Sequence, residues 1–506
     1  MARDSGADGM TTAMAEQAAS RPAKSVQDYI DETPVWADGT PASGAPLTPM
    51  QWRVWMLAAA GKFFEGLVIF TTGVALPLIG KEFAMSPVQH GMTGAASLLG
   101  ILIGAIALGG LSDIFGRKLV FISEMVIFMV FLALLSVSQG FLWMILCMVG
   151  VGLALGCDYP TAHLIISESI PSRARGKLVL AAFGFQAVGA LAGTISGYVI
   201  LHNFEQVTAW RYMFAIALVP AFVVLVGRFF ITESAPWLFA RGRVDEATRA
   251  AMRLLRRDPP YPKEITLAKP PSEDSAREDG FRAVLAPANR RATILASVPW
   301  FLQDLGTYGI GLFTPTILAA TFGHAAQVHH SLASVIDKDL FAAKGAGFVD
   351  ILLILGIGAA TLLADRVGRI PLQIIGFIGC AAGLLISALA LNHVGMAQTA
   401  MIYSGFMLFN FMTNIGPNAQ TYLIAGEVFP TRMRAKGAGL AAAFAKIGAV
   451  TTAFLFPILL ADIGTQRLLY ILVATSLLGA FVTWRYRIET TGINLDRLGE
   501  RLPRTE

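Results

Sequence analysis

Charge is scarce in this sequence. Asp, Glu, Lys and Arg make up 14% of its 506 residues, whereas a soluble globular chain carries about a quarter. That deficit excludes an ordinary soluble domain. Cysteine is scarcer still: Cys147, Cys157 and Cys380 all fall in apolar stretches. They exclude a disulfide framework and show no metal-ligand spacing. His324, His329 and His330 share one polar stretch, but no acid pattern accompanies them. They read as solvated, and no metal or cofactor is expected. No nucleophile–base constellation is visible either, so an enzyme is not expected. The net charge of +5 is spread over short loops and does not suggest nucleic acid. Also missing is the apolar core of a cleavable signal peptide. The opening stretch is polar and rich in Ala, Ser and Pro, and residues 1–50 are predicted to be a disordered cytosolic tail.

What the chain has is apolar length. Hydrophobic residues make up 55% of it, and they gather in blocks of roughly 20, the length of a helix that crosses a bilayer core. Lipid offers backbone amides no partner, so such blocks must be helical. Hydropathy predicts twelve spans. Six lie at 54–80, 92–111, 119–138, 141–166, 178–201 and 210–231, and six at 292–321, 346–363, 370–391, 398–425, 437–461 and 466–485. The predicted organisation is a six-helix bundle over 51–231, a cytosolic central loop over 232–290, a second bundle over 291–487 and a cytosolic tail over 488–506. Within the central loop, 243–257 reads as an amphipathic helix. Basic residues cluster in alternate loops, at Arg117/Lys118, Arg173/Arg175/Lys177, Arg366/Arg369, Arg432/Arg434/Lys436 and Arg485/Arg487. The positive-inside rule then places both termini in the cytosol. A multi-pass protein of an inner or plasma membrane is expected, as a monomer.

The two halves repeat. Asp113-Ile-Phe-Gly116-Arg117 follows the second span, and Asp365-Arg-Val-Gly368-Arg369 follows the eighth. Glu168-x-x-Pro-Ser-Arg173 follows the fourth, and Glu427-x-x-Pro-Thr-Arg432 follows the tenth. Two motifs recurring in the same order indicate duplicated halves, an architecture suited to alternating access around a midplane site. In each loop the Asp can pair with arginines at helix ends, the Gly allows a tight turn, and the Arg can reach helix carbonyls or an acid. The recurrence favours a gate over a merely solvated turn.

GGLSDIFGRK (109–118) resembles the signature loop of the major facilitator superfamily. TESAPWLFARGRVDEA (232–247) and ETTGINL (489–495) are similar to segments of its sugar-porter-like members. The resemblance implies an all-α membrane fold: twelve transmembrane helices in two pseudo-symmetric six-helix bundles.

Ionisable groups inside spans are candidates for function, because each is costly in lipid unless paired or hydrated. Lys62 and Glu65 share a helix face three residues apart and can neutralise one another. Glu124, near the start of the third span, reads as a structural pairing or as a relay. Asp158 lies in the middle of the fourth span in GCDYPTAH (156–163), followed by Tyr159 and Pro160. Gln186 is buried in the fifth span. Asn410, Asn414 and Asn418 recur on one face of the tenth span, and Gly416-Pro417 should break it. Lys446 has no local partner; it must meet an acid, meet an anion or lose its proton. Asp304 sits between Trp300 and Tyr308 on one helical stripe. That stripe is either ordinary packing around a buried acid or a set of indole and phenol donors for a ligand rich in acceptor oxygens.

GCDYPTAH, FGFQAVGALAG (183–193), WFLQDLGTYG (300–309) and NIGPNAQTYLIAGEVFPTRMRAKG (414–437) together resemble the phosphate:proton symporter family. The resemblance implies that Tyr159, Gln186, Trp300, Asp304, Tyr308, Asn418 and Lys446 hold the substrate. It implies proton passage through Asp158, with Glu65 matching an acid of the first span and Val68 standing where a second acid is usual. Proton coupling is thus expected of Asp304, Asp158, Glu65 and Glu124. The expected function is proton-driven import of phosphate or a similar oxyanion. A symporter for a sugar, organic acid or other metabolite is the alternative, and a nutrient-sensing receptor with little transport is a further one.

Overall fold

A computed structural model describes residues 24–32, 47–108, 110–257, 265–267, 281–322, 332–429 and 433–490. His324, His329, His330 and Arg432, along with residues 1–23 and 491–506, lie outside the described residues. The first half holds α1 (Pro49–Glu82), α2 (Pro87–Ala107), α3 (Arg117–Ser136), α4 (Phe141–Ser169), α5 (Ser172–Asn203) and α6 (Val207–Phe229, interrupted at Ile216–Ala217). The second holds α7 (Arg290–Phe322), α8 (Leu332–Val367), α9 (Arg369–Ala390) and α10, which runs as Met396–Ile415 and then Pro417–Glu427. Its last two helices, α11 and α12, form the stretch Arg434–Tyr486, divided at Gly464, where φ is 79°. Eight of these helices, together with the α11–α12 stretch, are long and apolar enough to count as candidate spans. The expected twelve-helix fold in two bundles is what forms.

Local chemistry sets the helix starts. Thr48 and Ser86 each cap a helix whose first residue is proline, and Gln51 and Gln89 complete reciprocal capping boxes. The break in α10 follows from Gly416-Pro417: proline supplies no amide, and Gly416 leaves the helical region at φ −107°, ψ −104°. Packing within the first half relies on small residues. Gly100 and Gly104 of α2 lie against the backbone of α4, and Gly152 and Gly156 of α4 against that of α2.

Two arginine clamps brace the face at which α1 begins and α12 ends. Arg117 holds the Glu168 carboxylate with two bonds, at 2.9 and 3.3 Å, and Asp113 at 2.5 Å. Arg369 does the same with Glu427, at 3.2 and 3.3 Å, and Asp365, at 2.8 Å. Each clamp has a third arm that the repeat reading missed. Glu233, after α6, accepts the Lys118 amide at the start of α3, while Ser234 Oγ donates to Glu168. Glu489, after α12, accepts the Arg369 and Ile370 amides at the start of α9, while Thr490 Oγ1 donates to Glu427. A carboxylate at a helix N-terminus meets unsatisfied amides and the positive end of the dipole. Gly116 and Gly368 make room for it at φ 101° and 102°. Arg173, expected in this cluster, is instead exposed, because the bidentate contacts of Arg117 already occupy Glu168.

Composition predicted disorder up to residue 50, but Val26–Asp31 is a helix capped by Ser25. Val26 and Ile30, one turn apart, are buried in a cluster with Ile166, Ile170 and Val179. Asp31 accepts the Ser172 amide at 2.6 Å, capping α5. The central amphipathic helix forms over Val244–Leu255 and buries Ala247, Ala251, Leu254 and Leu255.

A Cβ at position 116 would lie 2.7 Å from Glu233 Oε2, on a backbone conformation that side chains avoid. Gly116→Ala should therefore lower stability by roughly 1–3 kcal/mol, read as a reduced midpoint of thermal unfolding in detergent. Gly110→Ala, at φ −81° with open space around it, should be nearly silent. Equal midpoints for the two variants would refute the constraint.

Candidate functional site

The midplane cluster is built around one lysine from α11. An ammonium has three protons to donate, and Lys446 Nζ has three oxygens around it. Glu65 Oε1 of α1 lies at 3.1 Å, Tyr308 Oη of α7 at 2.6 Å and Asp304 Oδ2 of α7 at 3.6 Å. Lys446 thereby joins the two halves, because Glu65 belongs to the first bundle and the others to the second. Glu65 is also bound by Lys62 at 2.5 Å, by the Tyr308 hydroxyl at 2.8 Å and by the Gln186 amide of α5 at 3.4 Å. Gln186 donates to Tyr308 as well, at 3.1 Å. Glu65, Asp304, Tyr308 and Lys446 are all buried. Two cations face two carboxylates, and that pairing is how ionised groups are tolerated at this depth.

The stripe Trp300–Asp304–Tyr308 is real, but its internal contacts differ from expectation. Tyr308 turns its hydroxyl to Glu65 rather than to Asp304. Trp300 packs edge-on against Tyr422, with ring centroids 6.1 Å apart. Asp304 instead faces Lys446, because a buried carboxylate gains more from a cation than from neutral donors. Asp304 Oδ2 makes no hydrogen bond among the described residues.

Tyr422, on the second segment of α10, is the hub that the sequence reading missed. Tyr159 of α4 meets it edge-on at 6.0 Å, Phe183 of α5 stacks on it at 4.6 Å, and His163 approaches at 6.1 Å. These rings join the halves on the side of Lys446 nearer the chain ends. The signal for Tyr422 was its place four residues after Asn418, on the same face. Lys62 Nζ sits 3.9 Å above the Tyr159 ring, a cation–π arrangement. The Tyr159 hydroxyl is buried with no hydrogen-bond partner among the described residues, so it is a donor in reserve.

Asn418 belongs to a neighbouring polar chain. It donates to Asn414 at 2.6 Å and accepts from Gln303 at 3.1 Å, and Gln303 also reaches Thr307. The three asparagines of α10 do share a face, but Asn410 and Asn414 spend their amides on the backbone of α8, at Val349 and Leu353. Val68 is fully buried in the apolar core.

Asp158 and Glu124 are not brought to Lys446. Both pair with Arg228 of α6, at 2.6 and 2.9 Å, and that guanidinium also lies over the Phe121 ring at 3.4 Å. Arg228 is wholly buried. An arginine inside an apolar run is a flag in its own right, and the hydropathy reading passed over it. Gly61, just before Lys62, gives the Asp158 carboxylate its space, since a Cβ there would overlap it. Asp158 and the Lys446 cluster thus touch the same stretch of α1.

Removing Arg228 would leave two carboxylates unpaired in a dry interior. Arg228→Met should destabilise the protein by about 3–5 kcal/mol. Adding Glu124→Gln and Asp158→Asn should recover a large part, as seen by thermal unfolding in detergent. Unchanged stability of the single variant would show that the triad is solvated.

The chain was compared with known proteins. Residues 54–502 match the family described as sugar (and other) transporters. A Schizosaccharomyces pombe protein named "Putative inorganic phosphate transporter" is 28% identical over 490 residues, covering 84% of each chain. The glucose transporter GlcP of Staphylococcus epidermidis is 27% identical over 454 residues, covering 88% of this chain and 96% of its own. The solved structure of the proton:xylose symporter XylE of E. coli superposes with a TM-score of 0.68 at 21% identity, covering 89% of this chain and 98% of that one. The helical architecture matches that major facilitator fold, and this chain is a multi-pass membrane transporter that belongs to the sugar (and other) transporter family.

Proposed function

We propose that the protein is a proton-coupled symporter for inorganic phosphate or a closely similar small oxyanion, working by alternating access. The observation that carries this reading is the charge balance at the midplane. Lys62 and Lys446 face Glu65 and Asp304. With both carboxylates ionised, the cluster is neutral. A proton on Asp304 leaves one positive charge in excess, and an anion restores neutrality. Proton and anion therefore favour each other's binding, which is coupling in the thermodynamic sense.

In this reading the anion takes Lys446 as its charge partner. It accepts hydrogen bonds from the free Tyr159 hydroxyl, from Tyr308, from the Gln186 amide and from the Trp300 indole, with Asn418 at the edge of the site. Asp304, once protonated, no longer repels the anion. Loss of that proton to the cytosol, on the side of the chain ends, returns the repulsion and expels the substrate. The similarity to a fission-yeast protein bearing a phosphate transporter name supports the choice of anion.

A proton symporter for a sugar or other metabolite is the second reading. The aromatic faces of Tyr159, Trp300 and Tyr422 favour it, as does the likeness to a glucose transporter. Competition of binding by phosphate and arsenate against sugars separates the two.

Lys446→Ala should weaken phosphate binding by at least about thirtyfold, the equivalent of ~2 kcal/mol for a truncated buried charge pair. Unchanged affinity, measured by equilibrium binding of radiolabelled phosphate, would remove Lys446 from the site. Asp304→Asn should abolish accumulation driven by a pH gradient in proteoliposomes. Full gradient-driven uptake by that variant would sink its coupling role.

A further inference from the structure

A further acid of the membrane interior lies away from both Lys446 and Arg228. Asp350 is on α8, 2% exposed. Its partners are neutral. Thr194 Oγ1 of α5 lies 2.8 Å from Oδ2, and the Asn410 amide of α10 lies 3.5 Å from Oδ1. Among the described residues no Lys, Arg or His forms an ion pair with it. The helices packed on α8 bring Tyr403 and Tyr422 from α10, Asp304 and Tyr308 from α7, Lys62 and Glu65 from α1, and Cys380 from α9. On α5 the basic groups Arg173, Arg175, Lys177 and His202 stand near its two ends. On α8 itself Lys344 is exposed, and Asp365 and Arg366 lie at the end. Lys62, Glu65, Tyr308 and Lys446 are already bonded to one another, and Asp304 faces Lys446.

Thr194 carries one hydroxyl proton, yet it has two oxygens in reach: Asp350 Oδ2, and its own helix carbonyl at Ala190, 3.1 Å away. A hydroxyl can donate once and accept twice. A proton on Asp350 Oδ2 satisfies everything: the carboxyl donates to Thr194, Thr194 donates to the Ala190 carbonyl, and Oδ1 accepts from Asn410. An ionised Asp350 would instead be a full charge in a dry interface with two neutral donors, a costly state. The contact also joins the two halves, since Thr194 belongs to the first bundle and Asp350 to the second. Thr194 stands eight residues from Gln186 on α5, or about 12 Å along the helix, so the pair is distinct from the midplane site.

We propose that Asp350 is a second proton-binding site, occupied while α5 and α8 are in contact and emptied when the halves part there and water reaches the carboxyl. The proton on Asp350 is what allows this interface to close. The assignment does not depend on which substrate is carried.

Infrared difference spectroscopy of the full-length protein in lipid tests the bound proton. Near neutral pH, the wild type minus Asp350→Asn spectrum should contain the carbonyl stretch of one buried carboxylic acid. A carboxylate band in its place would overturn the proposal. Thr194→Val should move the acid band to higher frequency and Thr194→Ser should leave it in place. An unmoved band in Thr194→Val would overturn the role of Thr194, and this arm stands even if Asp350→Asn fails to fold. Hydrogen–deuterium exchange, corrected for intrinsic rates, tests the release. Peptides covering 190–198 and 345–352 should lose protection from mildly acidic to alkaline pH in the wild type. They should show no such change in Asp350→Asn, and equal loss in both would refute the link between proton and closure.

Discussion

A buried ammonium must be paired, and the pairing of Lys446 organises the centre of this transporter. Inside the protein Lys446 donates to Glu65 and Tyr308 and faces the Asp304 carboxylate at 3.6 Å. One of those partners comes from the first bundle. The ion pair is therefore a tie between the two halves. In the proposed mechanism an anion that takes Lys446 breaks that tie, so recognition and movement would depend on the same bond. The second lysine, Lys62, keeps Glu65 paired if Lys446 leaves, which lowers the cost of the exchange.

Around this centre each bundle is braced as a unit. The clamps at Arg117 and Arg369 bind an acid at the end of the following span and an acid one turn back, and a third carboxylate caps the helix that carries the arginine. All these bonds stay within one half. Between the halves on that face, Lys177 and Asp365 lie 3.9 Å apart and both are well exposed, a pairing worth little. On that face, strong contacts inside each bundle and a weak one between them suit rigid-body rocking. The clamps thus read as stiffeners of each half more directly than as a lock between halves.

Arg228 shows the same economy of charge in a different place. One guanidinium serves Glu124 and Asp158 and lies flat on Phe121, combining ion pairing with aromatic stacking as only arginine does. Asp350 is the contrasting case, an acid without a cationic partner among the described residues. Three buried carboxylate environments therefore coexist: paired with lysine, shared on arginine, and bonded to neutral groups.

Much of this was legible in the sequence. Apolar blocks with a period set by bilayer thickness determine the number and order of the helices, since lipid permits no other backbone solution. The Gly416-Pro417 break and the arginine of each clamp are local chemistry, readable from their neighbours. The stripe of Trp300, Asp304 and Tyr308 is a matter of helical period. Only the tertiary structure decided the partners. Lys446 meets Glu65, 381 residues away, and nothing in either neighbourhood announces the other. The partners of Arg228, Tyr422, Thr194, Glu233 and Glu489 were hidden for the same reason. A residue's type states what must be satisfied, but the helix that satisfies it is chosen by packing between segments distant in the chain.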